Sequence, residues 1–554
     1  MKLRKRETAF GGGSVRKSNR GSFAAYAGII SYMIVLGIRI PISVVIGDAG
    51  IGLFAPAFEL YTLTALFFTY GISRTMTGLI RYRMKREQYK NARKVFHTAL
   101  KISALTALVI ALVVVITSGF LAEDVFLEAM SRRALIAAAP AVVLAALISS
   151  LRGYFNGCGF GPLVAWSQYI EKTAMLIAGL IGGRISYEYG QKAAALLKND
   201  SAASAYGAQG AIWGIVIAEL ITLIYLSVVF IFHTGTWKRQ LMQDGGRRME
   251  SGGEITGMLI GNSIPMILVV LLSNLFMAVD QRFFNYCMNI KEMGGTRTAG
   301  WGSYYGKYAV LTGIGAALVC LAVQGSIGRI ASSYDREEYR LMRERIGGAM
   351  KKLCIVAFPA AIYLAVLAES FITGLYRGED SQAVSILRQG TVVILFYGAA
   401  WMFGQMMMKM RMIRELLFTL AAAFAVHILA AVLLVRNGHL GAEGILYSVI
   451  LYTGVLAVLS FVLVGKRVGY KPELLYSVAF PAVSSAVSGL VILLLNKLLF
   501  GLLGALPTLL ITCLIGTVIY MVLLILLHVI NEGELLEMPL GRVWITIGRL
   551  FGVM

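Results

Sequence analysis

Charge is scarce in this chain. Only 14% of its 554 residues are Asp, Glu, Lys or Arg, 58% are hydrophobic, and the mean hydropathy is +0.74. A soluble domain of this length needs more charge, which excludes a water-soluble enzyme and leaves a polytopic membrane protein. Cysteine is scarce as well. Cys158, Cys287, Cys320, Cys354 and Cys513 are odd in number, scattered, mostly inside apolar runs and without CxxC spacing, so they read as small hydrophobes and not as a disulfide or metal framework. The histidines (His97, His233, His427, His439, His528) are dispersed, and no Ser/His/Asp or Cys/His set presents itself. No GxxxxGK[ST] occurs, and no segment between apolar runs is long enough for a nucleotide-binding domain. The chain is therefore not expected to hydrolyse ATP, and it reads as a transporter, not an enzyme, with no metal site and no cofactor. The glycine-rich GGTRTAGWGSYYG at 294–306 follows no strand and reads as a flexible connection.

What fills the chain instead is a succession of apolar runs, each long enough to cross a hydrocarbon core of about 30 Å. They lie at 24–46, 54–80, 98–118, 134–151, 162–183, 208–232, 256–279, 304–326, 349–372, 384–408, 415–435, 441–465, 474–498 and 505–530. The expectation is an all-α polytopic membrane protein of about 14 transmembrane helices. The basic, Gly/Ser-rich start MKLRKRETAFGGGSVRKSNR has the look of a signal-peptide n-region, but the run behind it is too long for an h-region. An uncleaved first helix behind a disordered basic tail is expected.

The net charge of +22 could point to nucleic acid, but the distribution of the basic residues argues against it. Of 51 Lys and Arg, 35 fall in the loops and tails on the side of the N-terminus and 13 on the other, while acidic residues split almost evenly. That is the bias of the positive-inside rule. It predicts a multi-pass protein of the cytoplasmic membrane with both termini cytoplasmic, attracted to anionic membrane lipids and not to nucleic acid.

The sixth run opens with GAQGAIWG and the twelfth with GAEGILYS. Small residues there let helices approach closely, so each GAxG can be mere packing. Six runs apart, and with the basic 233–254 segment between runs six and seven, they suggest a parallel repeat of two six-helix lobes plus two extra helices. The expected organisation is a basic tail (1–23), an N-terminal lobe (24–232), a linker (233–255), a C-terminal lobe (256–465), two extra spans (466–530) and a cytoplasmic C-terminal segment (531–554).

Ionisable residues inside such runs cost roughly 2.5 to 3.5 kcal/mol each to insert and mark candidate sites. Arg39 lies late in the first run, just before Pro41, which is expected to kink it; Arg74 lies in the second, within YGISRTMTG. Ser167, Gln168, Glu171 and Lys172 sit at helical spacings that gather them on one side of the fifth. Glu219 is in the middle of the sixth, and Asp280 with Arg282 closes the seventh. Each has a structural alternative: Asp280 and Arg282 can be interfacial, and Lys172 can simply neutralise Glu171 or Glu219. A cavity holding Arg39, Arg74 and Lys172, helped by Arg152 and Arg282, would suit an anionic, phosphate-bearing cargo, since guanidinium groups bind phosphate bidentately.

The stretch RIPISVVIGDAGIGLFAPAFELYTLTALFFTYGISRTMTGLI (39–80) with YKNARKVFHTAL (89–100) resembles the start of the MurJ/SpoVB-type lipid-linked saccharide flippases. So do RGYFNG with SQYIEK (152–172) and the pattern of Pro265, Asn274 and Asp280. These belong to the multidrug/oligosaccharidyl-lipid/polysaccharide (MOP) exporter superfamily. The resemblance implies two six-helix lobes in a V-shape around a central cationic cavity, with spans thirteen and fourteen forming a lipid-tail groove. It implies as cargo an undecaprenyl-pyrophosphate-linked saccharide, lipid II or a polysaccharide repeat unit. Cell-envelope synthesis proteins are the implied partners, and cell-wall, peptidoglycan and polysaccharide biosynthesis the setting. Arg39 is in the place of the first-span arginine that engages pyrophosphate in that family; Arg74 is an extension from the residues themselves. Relatives usually have proline and small residues where Ser73 and Arg74 stand, and glutamine where Asn156 stands, which points to a divergent branch.

The expected site thus comprises Arg39, Arg74, Asn156, Gln168, Glu171, Lys172, Asp280 and Arg282. The expected function is alternating-access flipping of the lipid-linked saccharide from the inner to the outer leaflet, with membrane potential, H+ or Na+ as candidate energy sources. The alternatives are a cation-coupled multidrug antiporter of the same superfamily and a non-transporting envelope-synthesis scaffold. An integral-membrane glycosyltransferase would need a polar catalytic loop, and none is present.

Overall fold

The structure, a computed structural model, describes residues 13–199, 201–242, 244, 249–291, 294–438, 440–536 and 541–550. The expectations for residues 1–12, for much of the 243–248 segment and for 551–554 lie outside the described residues. Among the described residues every regular element is helical. Eleven helices are long and apolar enough to cross a membrane, or twelve if the pair Ser381–Gly390 and Val393–Lys409, bent by 48°, is one span. The count of 14 differs from this at identifiable places. Runs one and two belong to one continuous stretch, Tyr26–Met84. The fifth run is a 37-residue helix, Gly161–Leu197, whose polar residues leave it outside that set.

The first stretch breaks at Gly47 (φ 73°, ψ 171°), six residues after the expected kink at Pro41. A positive φ costs glycine least, so VIGDAG bends at its glycine and the proline is carried inside the helix. Helix also begins at Gly13, well within the segment expected to be a disordered tail.

Packing divides the chain into two compact units. The first comprises the residues up to Ile38, Val45–Tyr286 and Gly294–Ala299; the second comprises Arg39–Val44, Cys287–Met293 and the chain from Gly300. Within the first unit, hydroxyls and small residues join the helices, as expected where hydrocarbon supplies no hydrophobic force between them. A π-helical turn, Phe67–Ser73, opens the ladder of the second run. There Ser73 donates to the Ser149 carbonyl at 2.6 Å, and Thr77 donates to the Gly153 carbonyl at 3.0 Å. The Gly161–Leu197 and Ser201–Met242 helices lie so close that a Cβ on Gly210 would sit 2.2 Å from the Gly182 carbonyl oxygen. One on Gly214 would sit 2.3 Å from that of Ala178. The first GAxG thus has a packing reason of its own. At one end, Arg83 pairs with Glu250, whose backbone carbonyl accepts from Lys94 at 2.5 Å. A capping box of Ser251 and Glu254 then starts the Gly252–Asn274 helix.

The expected flexible connection at 294–306 is corrected. It is helix over Gly294–Ser303 and π-helix over Tyr304–Tyr308, running into Ala309–Asp335. Its glycines suggested a loop, but Trp301, Tyr304 and Tyr305 are fully buried, with Trp301 stacked on both tyrosines, and that burial outweighs the low helix propensity of glycine. Asp380 caps the Ser381–Gly390 helix and also accepts from Ser303 and from Lys307, the latter at 2.8 Å. Phe480–Leu503 and Ala505–Leu526 are joined at Gly504 (φ 78°). Tyr363 donates to Ser488, and Tyr520 to the Ile355 carbonyl, tying this pair to Tyr339–Val366.

Candidate functional site: a buried ion cluster in the first unit

The fifth run does gather its polar residues. Ser167 and Glu171 are buried on one face of the Gly161–Leu197 helix, Gln168 and Lys172 flank them half-buried, and Trp166 and Thr173 point out. Glu171, 3% exposed, holds two cations: Arg152 at 2.5 Å on one oxygen and Lys172 on the other. Arg152 also donates through Nε to Ser167 at 2.9 Å. Arg152 belongs to the Arg132–Gly157 helix and faces Glu171 because the chain reverses at 158–160. Its expected place in a loop is therefore corrected: it is a helical, largely buried ion-pair partner.

A second carboxylate completes the cluster. Glu219, from the Ser201–Met242 helix and 1% exposed, accepts from the Tyr61 hydroxyl on Oε1, and its Oε2 is buried with no hydrogen-bond partner among the described residues. Arg152, Glu171 and Lys172 all lie within electrostatic reach of it. The Gln168 Oε1 is likewise buried without a partner among the described residues. Four helices thus contribute Tyr61, Arg152, Glu171 with Lys172, and Glu219. Glu219 stood out in the sequence as an acid inside an apolar run, whereas Tyr61, in ELYTLTALFF, carries no signal that could have singled it out.

The remaining candidates lie elsewhere. Arg39 is buried in the second unit, its guanidinium 4.1 Å from the centre of the Tyr305 ring, a cation–π contact. Arg74 is exposed at the start of the Arg74–Met84 helix in the first unit. The structure assigns these two arginines to different units. Asn156 is half-buried one turn beyond Arg152, and its carbonyl accepts from Arg81 at 3.1 Å. Asp280 is fully buried in Phe276–Ile290. Arg282 is exposed and donates to the Asp124 and Val125 carbonyls, the latter at 3.2 Å. Among the described residues no group of three or more His, Cys, Asp or Glu side chains is placed to hold a metal ion.

Its long apolar helices make the chain a polytopic membrane protein, and ion pairs are buried between those helices. Comparison with known proteins gives the family: residues 20–324 match the polysaccharide biosynthesis protein family, and the chain belongs to it. Stage V sporulation protein B of Bacillus subtilis (strain 168) is 22% identical over 381 residues, 67% of this chain and 68% of that protein. Among solved structures, the lipid II flippase MurJ in an inward closed conformation superposes with a TM-score of 0.58 at 12% identity, over 92% of this chain and 98% of its own. An inward-facing multidrug resistance MATE transporter of the MOP superfamily gives 0.57 at 16% identity, over 79% of this chain and 94% of its own. A MOP superfamily transporter from Pyrococcus furiosus, whose binding pocket is described as reversed in polarity, gives 0.55 at 15%, over 81% and 96%. The fold is that of the MurJ and MATE transporters, and the chain is a multi-pass membrane protein.

Proposed function

We propose that the protein is a flippase that moves an undecaprenyl-pyrophosphate-linked saccharide from the inner to the outer leaflet of the cytoplasmic membrane, with both termini cytoplasmic. The observation that supports this over drug efflux is coverage. The MurJ fold accounts for 92% of the chain, whereas the MATE and other MOP structures above account for 79–81%. The Phe480–Leu503 helix has a use in the flippase reading. Leu490, Leu494, Leu498 and Leu502 make an exposed apolar stripe on Phe480–Leu503, suited to a long lipid tail.

Arg39 is the proposed pyrophosphate contact; Arg74 is kept as a separate cationic candidate in its own unit. Gln168, Glu171 and Lys172 form with Arg152 an ion-paired cluster that gates the movement or meets the sugar; Asn156 and Asp280 are secondary candidates. A head group carrying net negative charge gains about 2.3 kcal/mol per charge for each 100 mV on leaving a negative interior, so membrane potential suffices for the outward step.

The test is accessibility of a lipid-pyrophosphate oligosaccharide to an external sugar-modifying enzyme in sealed proteoliposomes, with and without an imposed potential. Protein-dependent exposure that falls at least tenfold on Arg39→Ala, and not on the surface control Lys85→Ala, is the expected result. Equal activity of Arg39→Ala would remove the arginine from the mechanism. No exposure with any lipid-linked sugar, together with cation-driven dye efflux, would transfer the protein to the antiporters.

A further inference from the structure

A carboxylate buried among hydrocarbon-spanning helices needs a donor for each oxygen, a cation, or a proton of its own, because an unpaired buried charge costs several kcal/mol. Glu171 meets this requirement twice over, with Arg152 on one oxygen and Lys172 on the other. Glu219 does not. Tyr61 supplies one donor to Oε1, and Oε2 is buried with none among the described residues. The charged and titratable groups that reach it are Tyr61 from the first helix, Arg152 from Arg132–Gly157, and Glu171 and Lys172 from Gly161–Leu197. Both cations among them direct their contacts to Glu171 and Ser167.

We propose that Glu219 is an exchangeable proton-binding site, carrying its proton on Oε2 while Arg152 and Lys172 are held by Glu171. The step is a plain ionisation: the O–H bond at Oε2 breaks, the proton passes to water, and the carboxylate keeps the electron pair. Before release the cluster holds two cations and one anion; after it, two of each. The new charge on Glu219 competes with Glu171 for Lys172, whose flexible ammonium can turn from one to the other, whereas the planar guanidinium of Arg152 is held by Ser167 as well. Release of the proton therefore redistributes ion pairs among three helices of one unit. Any use of this in the transport cycle rests on the flippase reading above; the proton site itself does not.

The experiment is infrared difference spectroscopy of the full chain in nanodiscs, titrated between about pH 6 and pH 9, where ordinary carboxyl groups, with pKa near 4, are already ionised. The expected result is a neutral-carboxyl C=O band present at the acid end, lost across the titration, absent in Glu219→Gln and retained in the exposed control Glu337→Gln. Should Glu219→Gln not fold, Tyr61→Phe carries the test, because loss of its hydrogen bond shifts the same band to higher frequency. No neutral-carboxyl band at pH 6 would make Glu219 a fixed anion and overturn the proposal. So would a band that persists to pH 9, survives in Glu219→Gln, or ignores Tyr61→Phe. None of these readings involves cargo, so the proton site and the flippase function fail or stand separately.

Discussion

Glu171 is a buried anion on which two cations of the first unit depend. It is the shared anion of Arg152 and Lys172, and its removal leaves two cations crowded in a buried site with no ionised partner bonded to either. Breaking a buried pair in this way costs about 3–5 kcal/mol, because the remaining charge keeps its desolvation penalty and loses its compensation. Glu171→Ala is accordingly expected to destabilise the protein by that amount in denaturant or thermal unfolding in detergent. Glu188→Ala, which removes an exposed pair with Arg184, should cost only about 0–1 kcal/mol. If the two variants unfold alike, the cluster is solvated and the argument fails. The stripe of Ser167, Gln168, Glu171 and Lys172 was legible in the sequence because helical periodicity alone places them together. The partners were not. Arg152 read as a loop charge because hydropathy does not show the reversal at 158–160 that turns it back onto Glu171, and Tyr61 is a tyrosine among many.

The most extensive helix pairing is that of the Gly161–Leu197 and Ser201–Met242 helices. Gly182, Gly210 and Gly214 are there because a side chain would meet backbone of the facing helix, which cannot move aside as the end of a long side chain can. Gly214→Ala is expected to force the helices apart and destabilise by about 1–3 kcal/mol, the usual cost of overpacking. On the same helix, Gly235→Ala enters open space. It should be neutral or stabilising by up to about 1 kcal/mol, since alanine is the better helix former. Unfolding midpoints for the pair decide it, and equal midpoints would mean that the helices repack freely. At this scale the sequence showed which runs are helices, since apolar length suffices. It did not show where helices bend or fuse. Gly47 and the bent pair at 381–409 depend on local backbone geometry, and the helix through GGTRTAGWGSYYG depends on burial of Trp301, Tyr304 and Tyr305, which composition alone represents as a loop.

For the molecule as a whole, the consequence drawn from charge is orientation. Lys and Arg concentrate in alternate connections between the apolar runs, and insertion keeps such segments on the cytoplasmic side. The 81–101 segment is rich in them, and Lys85 in it is exposed; the 377–380 connection belongs to the opposite set, and Glu379 in it is exposed. Cys287, Cys320 and Cys354 are buried, so in a background lacking only Cys158 and Cys513 a single introduced thiol reports its own side. In intact cells a membrane-impermeant maleimide is expected to label Glu379→Cys strongly. It should leave Lys85→Cys unlabelled until the membrane is permeabilised, when the two should react alike. The reverse pattern would place the termini outside. It would also remove the cytoplasmic placement of the termini from the proposed function, while leaving the potential-driven gain on outward movement intact, because that gain depends on the charge of the head group and not on how the protein is inserted.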